Sequence, residues 1–332
     1  MKKNITRRDF FAPVFAAGIG LSFVKPNAKT KEGKRIGIIG LDTSHSVAFT
    51  KSLNKVGADA AFKGYKVVAA YPQGSLDIVS STKRIPGYIE DVKKLGVEIT
   101  HSISELLKRV DVIMLETNDG RRHLEQALEV FKSGKTTFID KPIAASLKDA
   151  KAIFEAAEKY KVPVFSASSL RFATNMTDIK NGKLGNVNGA DTYSPMKFEK
   201  THPDLFWYGI HGVEMLFTVM GIGCKSVSRS IGDKQEVFTG IWEDGRIGTF
   251  RGIKNGKQDY GGTAFGENGV DKLGPYNGYD PLLVEIIDFF ESGKSPVDKK
   301  ETLEICAFME AADESKLRDG AAVSLKEMLD RI

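Results

Sequence analysis

The sequence predicts an α/β protein in which an amino-terminal doubly wound parallel sheet precedes an α+β domain with an open, mainly antiparallel sheet. Short apolar segments alternate with helical patterns between residues 35 and 166, and the connections between them are short. After Phe172 this alternation gives way to strand patterns separated by turns. A chain of 332 residues is long enough for about two domains, which we place at residues 33–166 and 167–332.

The amino-terminal elements follow from apolar runs and helix signals. Strands are predicted at residues 35–40, 66–71, 97–99, 110–117, 136–140 and 162–166. Helices are predicted at residues 46–56, at 103–109 with Ser104 as N-cap, at 123–133, and at 146–160 from a Ser-x-x-Asp cap. Ligands bind at the carboxyl ends of such strands, so loops 40–45, 71–75, 117–122 and 140–145 are expected to form the site.

The carboxyl-terminal half reads as strands around one helix. Strands are predicted at residues 188–194, 226–232, 236–242 and 246–251, and a helix at 208–219. Asp244-Gly245 is a hairpin turn signal. Residues 252–278 are predicted to form either a loop over the site or a plain connection, with aromatic residues that could contact a sugar: Tyr260, Phe265, Tyr276 and, just beyond, Tyr279.

The first 28 residues are predicted to be an export signal. A basic start precedes an apolar run from Phe10 to Val24, and residues 6–11, TRRDFF, resemble the twin-arginine signal. The alternatives are a chance arginine pair in an ordinary signal, or an uncleaved anchor. We therefore expect a periplasmic or otherwise exported protein without a membrane span in the mature chain.

The charge pattern argues against a nucleic-acid partner. The formal net charge is +5, but residues 1–28 hold five basic residues and one acid, which leaves +1 on the rest. The remaining charges alternate in sign, as on a solvated surface. Cys224 and Cys306 match no metal or redox spacing, and no His-x-x-x-His or similar pattern occurs, so no metal ligands are predicted.

The loop after the first strand lies where a Rossmann-like fold places Gly-x-Gly-x-x-Gly against a pyrophosphate. Here it reads GLDTSH, which keeps only the first glycine. The candidate cofactor residues in it are Gly40, Asp42, Thr43, Ser44 and His45. Asp42 either contacts the cofactor or caps the next helix, and His45 either contacts the cofactor or packs. The second strand ends in YPQGS without an acid, which leaves NAD and NADP both open.

From about residue 34 to the end, the chain resembles the Gfo/Idh/MocA oxidoreductases. Thr117 ends a strand, His123 starts a helix, and Asp140-Lys141-Pro142 stands where the family has Glu-Lys-Pro. Arg171-Phe172 matches the Arg-Phe that opens the second domain, residues 208–214 match the region of the family's catalytic histidine, and residues 292–325 match its closing helix and strand. The chain departs from the family in its depleted glycine loop and in Trp207, which replaces an aspartate.

The resemblance implies roles for individual residues. The catalytic candidates are Lys141, His211 and Tyr208. The further cofactor candidates are Thr117, Asn118, His123 and again Lys141. The substrate candidates are Arg171, His202, Trp207 and Glu214, of which Glu214 could orient His211. The alternatives are a solvated surface charge for Lys141 and a core histidine for His211.

The activity implied is NAD(P)-dependent oxidation or reduction at a secondary hydroxyl or keto group of a sugar, polyol or glycoside. The resemblance also implies a homo-oligomer, and export favours a tightly held NAD or NADP. The alternative is a cofactor-poor lyase or hydrolase on oxidised sugars, or a carbohydrate-binding protein, because the glycine loop is altered.

Overall fold

The computed structural model describes residues 33–332, so the predicted export signal lies outside the described residues. Six parallel strands form the first sheet in the order β3-β2-β1-β4-β5-β6, which confirms the predicted doubly wound sheet. The strands are β1 (Arg35–Ile39), β2 (Lys66–Tyr71), β3 (Glu98–Ile99), β4 (Val112–Leu115), β5 (Thr137–Asp140) and β6 (Val164–Ala167). β1 and β4 are neighbours although distant in sequence, so the switch point of the sheet lies between them.

Helices cover both faces of this sheet: α1 (Ser44–Asn54), α2 (Val79–Lys94), α3 (Ile103–Leu107), α4 (His123–Lys132) and α5 (Leu147–Tyr160). The predicted cap of α5 is present, because Ser146 accepts from the amide of Asp149 at 3.1 Å. The predicted cap of α3 is wrong by two positions, because Ser102, not Ser104, accepts from the amide of Glu105. Helix α2 has no counterpart in the sequence prediction; its start has no side-chain cap, Pro86 lies inside it and it buries few residues, so the usual signals of a helix are few.

Seven strands form the second sheet in the order β12-β11-β7-β10-β9-β8-β13, with β7 and β10 parallel and the other pairs antiparallel. They are β7 (Val187–Pro195), β8 (Cys224–Ile231), β9 (Gln235–Trp242), β10 (Ile247–Ile253), β11 (Gly261–Gly266), β12 (Gly269–Leu273) and β13 (Val323–Ser324). The predicted mainly antiparallel sheet is confirmed. Residues 252–278 are not only a loop, since they contain the β11–β12 hairpin.

The remaining helices are α6 (Met176–Lys180), α7 (Ile210–Met220) after a π-helical turn at Leu205–Gly209, α8 (Asp280–Ser292), α9 (Lys299–Leu317) and α10 (Leu325–Asp330). Every residue of α7 is buried, since the helix packs against the second sheet and against the turn at Ser169–Phe172. Helix α8 returns to the first sheet, where Ile286 and Phe289 join Ile36 and Phe165 in one core. The boundary at residues 166 and 167 stays a prediction. Within residues 33–332, no helix is long and apolar enough to cross a membrane.

Candidate active site

A cavity of about 360 Å³ opens at the carboxyl edge of the first sheet. Both halves of the chain line it, since loops after β1, β4 and β5 meet the start of α7 and the tyrosines that flank the β11–β12 hairpin. The lining residues are Thr43, Ser44, His45, Ser80, Arg84, Asn118, Lys141, Ser169, Leu170, Lys197, Trp207, Tyr208, His211, Tyr260, Tyr276 and Tyr279.

The one retained glycine of the loop after β1 is required by its surroundings. Gly40 has φ of 90°, and a Cβ there would lie 2.5 Å from the backbone of Thr117. Any larger residue would force β1 and β4 apart at the switch point. Helix α1 then begins with Thr43 as its cap, so its positive end faces the cavity through Thr43 and Ser44.

Asp42 is turned away from the cavity and does not cap α1. Its carboxylate accepts hydrogen bonds from the amide of Ser75 at 3.1 Å and from the amide of Asn118 at 2.9 Å. A Cβ on Gly74 would lie 2.0 Å from this carboxylate, so the loop after β2 is pressed onto it. Burial raises the pKa of Asp42, against the two amide bonds, which favour the ionised form. Asp42 therefore ties the loops after β2 and β4 together beneath the cavity.

A second tie joins the same two loops at the surface. Arg121 donates to Asp77 at 2.6 Å and to Asp119 at 2.7 Å. Loops 72–78 and 117–122 are thus joined to each other. In an open Rossmann sheet, the crevice between these loops is where the adenosine half of a dinucleotide binds.

The described residues fit the pyrophosphate and nicotinamide parts of a dinucleotide. Thr43 and Ser44 present a helix amino terminus to the cavity, and the Arg84 guanidinium also lines it. The Thr117 hydroxyl is buried and has no hydrogen-bond partner within residues 33–332, but Thr117 is not among the residues that line the cavity. The side chain of Asp42 does not oppose the phosphate charge from the cavity wall, because it lies below the wall.

Lys141 follows the last residue of β5 and lines the cavity, and its ammonium is held by the carboxylate of Asp140. Its Nζ donates to Asp140 Oδ2 at 3.0 Å, while Asp140 Oδ1 lies 2.9 Å from His45 Nδ1. Burial disfavours the charged ammonium, but Asp140 outweighs it and the pKa of Lys141 is raised. Lys141 is only 8% exposed, so it is no solvated surface charge but a buried ammonium that stays protonated.

His211, in the first turn of α7, has one ring nitrogen engaged and the other free for the cavity. Its Nδ1 lies 2.6 Å from the hydroxyl of Ser168. The expected contact between Glu214 and the imidazole is absent. Instead, the Glu214 carboxylate accepts hydrogen bonds from the amide of Ser168 at 2.9 Å and from Arg171 Nε at 3.1 Å. Ser168 therefore stands between His211 and Glu214. Burial, followed by the charge of Lys141, lowers the pKa of His211 well below its ordinary value, so the imidazole is neutral at pH 7.

An aromatic wall closes the other side of the cavity. The hydroxyls of Tyr208 and Tyr260 lie 2.8 Å apart, and both rings contact His211 edge-on. Tyr276 continues this wall next to Tyr260, at a ring distance of 5.9 Å. Such a wall offers both apolar faces and hydroxyls to a ligand.

Besides Gly40, Asp42 and Thr117, four predicted contacts lie away from this lining. Arg171 is buried in ion pairs with Glu214 and Glu301, so its guanidinium joins α7 to α9 instead of reaching a substrate. The carboxylate of Glu214 is bound to Arg171 and to the amide of Ser168, so it does not face the cavity. His202 packs on the ring of Trp207 and lies 3.2 Å from Asp119, so it supports the cavity residue Trp207 from behind.

His123 is the fourth. Its ring nitrogens lie 2.6 Å from the carbonyl of Thr117 and 3.1 Å from that of Ile143, so it fastens two loops of the site to each other.

Several residues of the site were not predicted from the sequence. Among them, Arg84 lies in α2, Ser168 follows β6, Lys197 follows β7, and Glu116 follows β4. The position of Glu116 at a strand end is a signal that could have found it, since ligands bind at this edge. Ser168 and Lys197 carry no motif, and only their contacts identify them.

The strand order and the cavity at the switch point define a protein of the Rossmann class. Residues 34–168 match the model of the Gfo/Idh/MocA family, an oxidoreductase family with an NAD-binding Rossmann fold. This match, which covers about two fifths of the chain, agrees with the resemblance seen in the sequence and with the predicted class of cofactor.

One curated relative and many solved structures are similar to the chain. The uncharacterized oxidoreductase YhhX of Escherichia coli (strain K12) is 25% identical over 140 residues, which cover 38% of this chain and 40% of that protein. The chain thus matches two fifths of the length of this relative.

The solved structures support the fold over most of the chain. A probable dehydrogenase from Thermotoga maritima is 19% identical, with a TM-score of 0.72 over 89% of this chain and 99% of the other. The scyllo-inositol dehydrogenase of Lactobacillus casei, solved with NAD(H) and scyllo-inositol, is 14% identical, with a TM-score of 0.71 over 89% of this chain and 100% of the other. At these identities the likeness concerns the fold.

Proposed function

We propose that the protein is an NAD(P)-dependent oxidoreductase that acts on a secondary hydroxyl or keto group of a sugar, polyol or glycoside. The observation that supports it best is that Lys141, from the first sheet, and His211, from the second half, line one cavity. A protonated ammonium and a neutral imidazole are the pair that an alcohol needs in order to lose a proton as its carbon is oxidised.

The chain would hold the cofactor with the start of α1, through Thr43 and Ser44, and with Arg84 at the pyrophosphate. A bound nicotinamide supplies the acceptor or donor of hydride. Lys141 donates a hydrogen bond to the reacting oxygen of the substrate and stabilises its developing negative charge. The carboxylate of Asp140 keeps this ammonium charged and aimed.

His211 takes the hydroxyl proton at its free Nε2. The hydroxyl of Ser168 can accept from Nδ1–H or donate to bare Nδ1, so it tolerates both tautomers of the ring. In the oxidation direction Nδ1–H donates to Ser168 and Nε2 acts as the base. In the reduction direction the same nitrogen returns the proton. Tyr208, beside the ring, supplies a second hydroxyl for the substrate oxygen.

The lining of the cavity supports a sugar-like substrate. Trp207 and Tyr276 offer apolar faces to a ring, while Lys197 and the Tyr260 hydroxyl are available to its hydroxyls. The name of the Lactobacillus casei structure, with bound scyllo-inositol, points to the same class of substrate.

Export and assembly belong to the same proposal. Residues 1–28 would direct the protein out of the cytoplasm. Because free nicotinamide cofactor is scarce outside the cytoplasm, the cofactor would travel with the folded chain. The outward face of the second sheet carries the exposed residues Tyr193, Ile247 and Phe265 on adjacent strands, which supports a homo-oligomer formed through this sheet.

A second candidate is a lyase or hydrolase on oxidised sugars, or a carbohydrate-binding protein. The ties that Asp42 and Arg121 make between loops 72–78 and 117–122 favour it, because they occupy the adenosine side of the site.

Mass spectrometry of the small molecules released from the native protein tests the proposal. We expect NAD or NADP, and reduction of that cofactor by a member of a polyol and sugar panel. Lys141→Ala should abolish turnover and retain sugar binding. A protein that carries no nicotinamide and binds none on titration, yet binds sugars tightly, would favour the second candidate.

A further inference from the structure

Beneath the cavity, three side chains from separate parts of the sequence meet in the buried core of the site. Glu116 follows β4, Asp140 ends β5, and His45 stands in the first turn of α1, which follows β1. Because β1, β4 and β5 are neighbours in the sheet, their carboxyl ends bring these three groups together. One potential ligand atom from each lies within 4.8 Å of the other two.

Glu116 is the unexplained member of this group. It is 0% exposed, and neither carboxylate oxygen has a hydrogen-bond partner within residues 33–332. A buried carboxylate without a partner is strongly unfavourable, and protonation would leave its hydroxyl equally unsatisfied. The adjacent ammonium of Lys141 is bonded to Asp140 and not to Glu116. One cation thus faces two buried carboxylates.

We propose that His45, Glu116 and Asp140 bind one divalent metal ion of the Mn²⁺ or Zn²⁺ kind. One imidazole with two carboxylates is a donor set that suits such ions. His45 Nδ1 and Asp140 Oδ1 are 2.9 Å apart, and two ligand atoms at about 2.1 Å from a shared ion lie roughly 3 Å from each other. A small rotation of the glutamate brings its oxygen to the same ion.

The ion has a route to this site and a neighbour to act on. His45 lines the cavity, so an ion reaches the three ligands from there. Once bound, it shares the Asp140 carboxylate with Lys141, which leaves more of the ammonium's charge for a ligand in the cavity. The sequence spacing gives no hint of this site, because its ligands lie 71 and 24 positions apart, at residues 45, 116 and 140.

The test uses the full chain, stripped with a chelator and titrated with Mn²⁺ while the electron paramagnetic resonance signal of free Mn²⁺ is recorded. We expect one saturable site per chain, and competition by Zn²⁺. Glu116→Gln should weaken Mn²⁺ binding at least tenfold. The matched control is Glu214→Gln, another buried glutamate, whose partners are Ser168 and Arg171; it should bind Mn²⁺ as the wild type does.

Circular dichroism in the presence of chelator shows whether each variant is folded, and the wild-type titration stands without any variant. Absence of saturable binding to the wild type overturns the proposal. So does equal affinity in Glu116→Gln, which would place the ion elsewhere, or a crystal soaked in Mn²⁺ whose anomalous map shows only water at Glu116. Each of these results leaves the cofactor question untouched, because no dinucleotide enters the experiment.

Discussion

The carboxylate of Asp42 accepts a hydrogen bond from the backbone amide of Asn118 at 2.9 Å, although 76 residues separate them. The same carboxylate accepts from the amide of Ser75. A side chain that stands in place of a glycine in the phosphate loop thus acts as a bridge between three loops of the first sheet.

Asp42→Ala should therefore destabilise the protein. It leaves the buried amide of Ser75 and the half-buried amide of Asn118 without an acceptor. Each unsatisfied donor costs about 1–3 kcal/mol, so we expect a loss of roughly 2–5 kcal/mol in the free energy of unfolding. Denaturant titration measures it. Asp59→Ala is the control, because the Asp59 carboxylate caps a single exposed amide, that of Ala61, and its loss should cost about 1 kcal/mol. Equal losses in the two variants would contradict the bridging role.

Under the proposed function, His211→Asn should lower kcat/KM for the alcohol substrate by about 10²–10⁴-fold, because the proton acceptor is lost. Ser168→Ala should cause a smaller loss, mostly in kcat, since the imidazole remains as the base but loses the hydrogen bond that holds its Nδ1. Steady-state kinetics at 340 nm follow both. His101→Asn, on the exposed surface, should behave as the wild type; an unchanged rate in His211→Asn would exclude this histidine as the base.

The pKa of His211 sets the pH range in which this residue can act as the proposed base. Its base form is neutral imidazole, and burial together with Lys141 lowers its pKa well below 6.5. As pH falls, an ordinary histidine would be half protonated near 6.5, whereas His211 should remain neutral there and titrate only at lower pH. NMR of the histidine Cε1 resonances, assigned with His211→Asn, measures this. In Lys141→Met the titration should move upward, towards 6.5; a wild-type midpoint at or above 6.5 contradicts the prediction.

Arg171 should be a stability residue. Arg171→Met leaves the buried carboxylate of Glu214 and the half-buried carboxylate of Glu301 without their cation, which costs about 3–5 kcal/mol in comparable buried pairs. Thermal and denaturant unfolding should show this loss. Arg84→Met is the contrasting variant, because Arg84 lines the cavity: it should weaken dinucleotide binding and leave stability nearly unchanged. A folded Arg171→Met protein of wild-type stability with a raised KM would restore the predicted substrate contact.

Much of the fold could be read from local patterns. The alternation of apolar runs with capped helices predicts the parallel sheet, and Asp244-Gly245 predicts the β9–β10 hairpin, because both signals lie within a few consecutive residues. The hairpin within residues 252–278 was not predicted. Strands β11 and β12 are rich in glycine and polar residues and pair through their backbones, so they lack the apolar alternation that marks a strand.

The candidate site divides in the same way. The sequence, through its family resemblance, identified Lys141 and His211 as the chemical candidates. It also placed the loops at residues 40–45 and 117–122 at the ligand site, because strand ends of a parallel sheet share one edge. The tertiary structure alone decided that Ser168 and not Glu214 contacts His211, that Arg171 is committed to ion pairs, and that Asp42 faces inward. The physical reason is that a buried polar group must find a partner, and which partner it finds depends on elements that only the packed fold brings within hydrogen-bond distance.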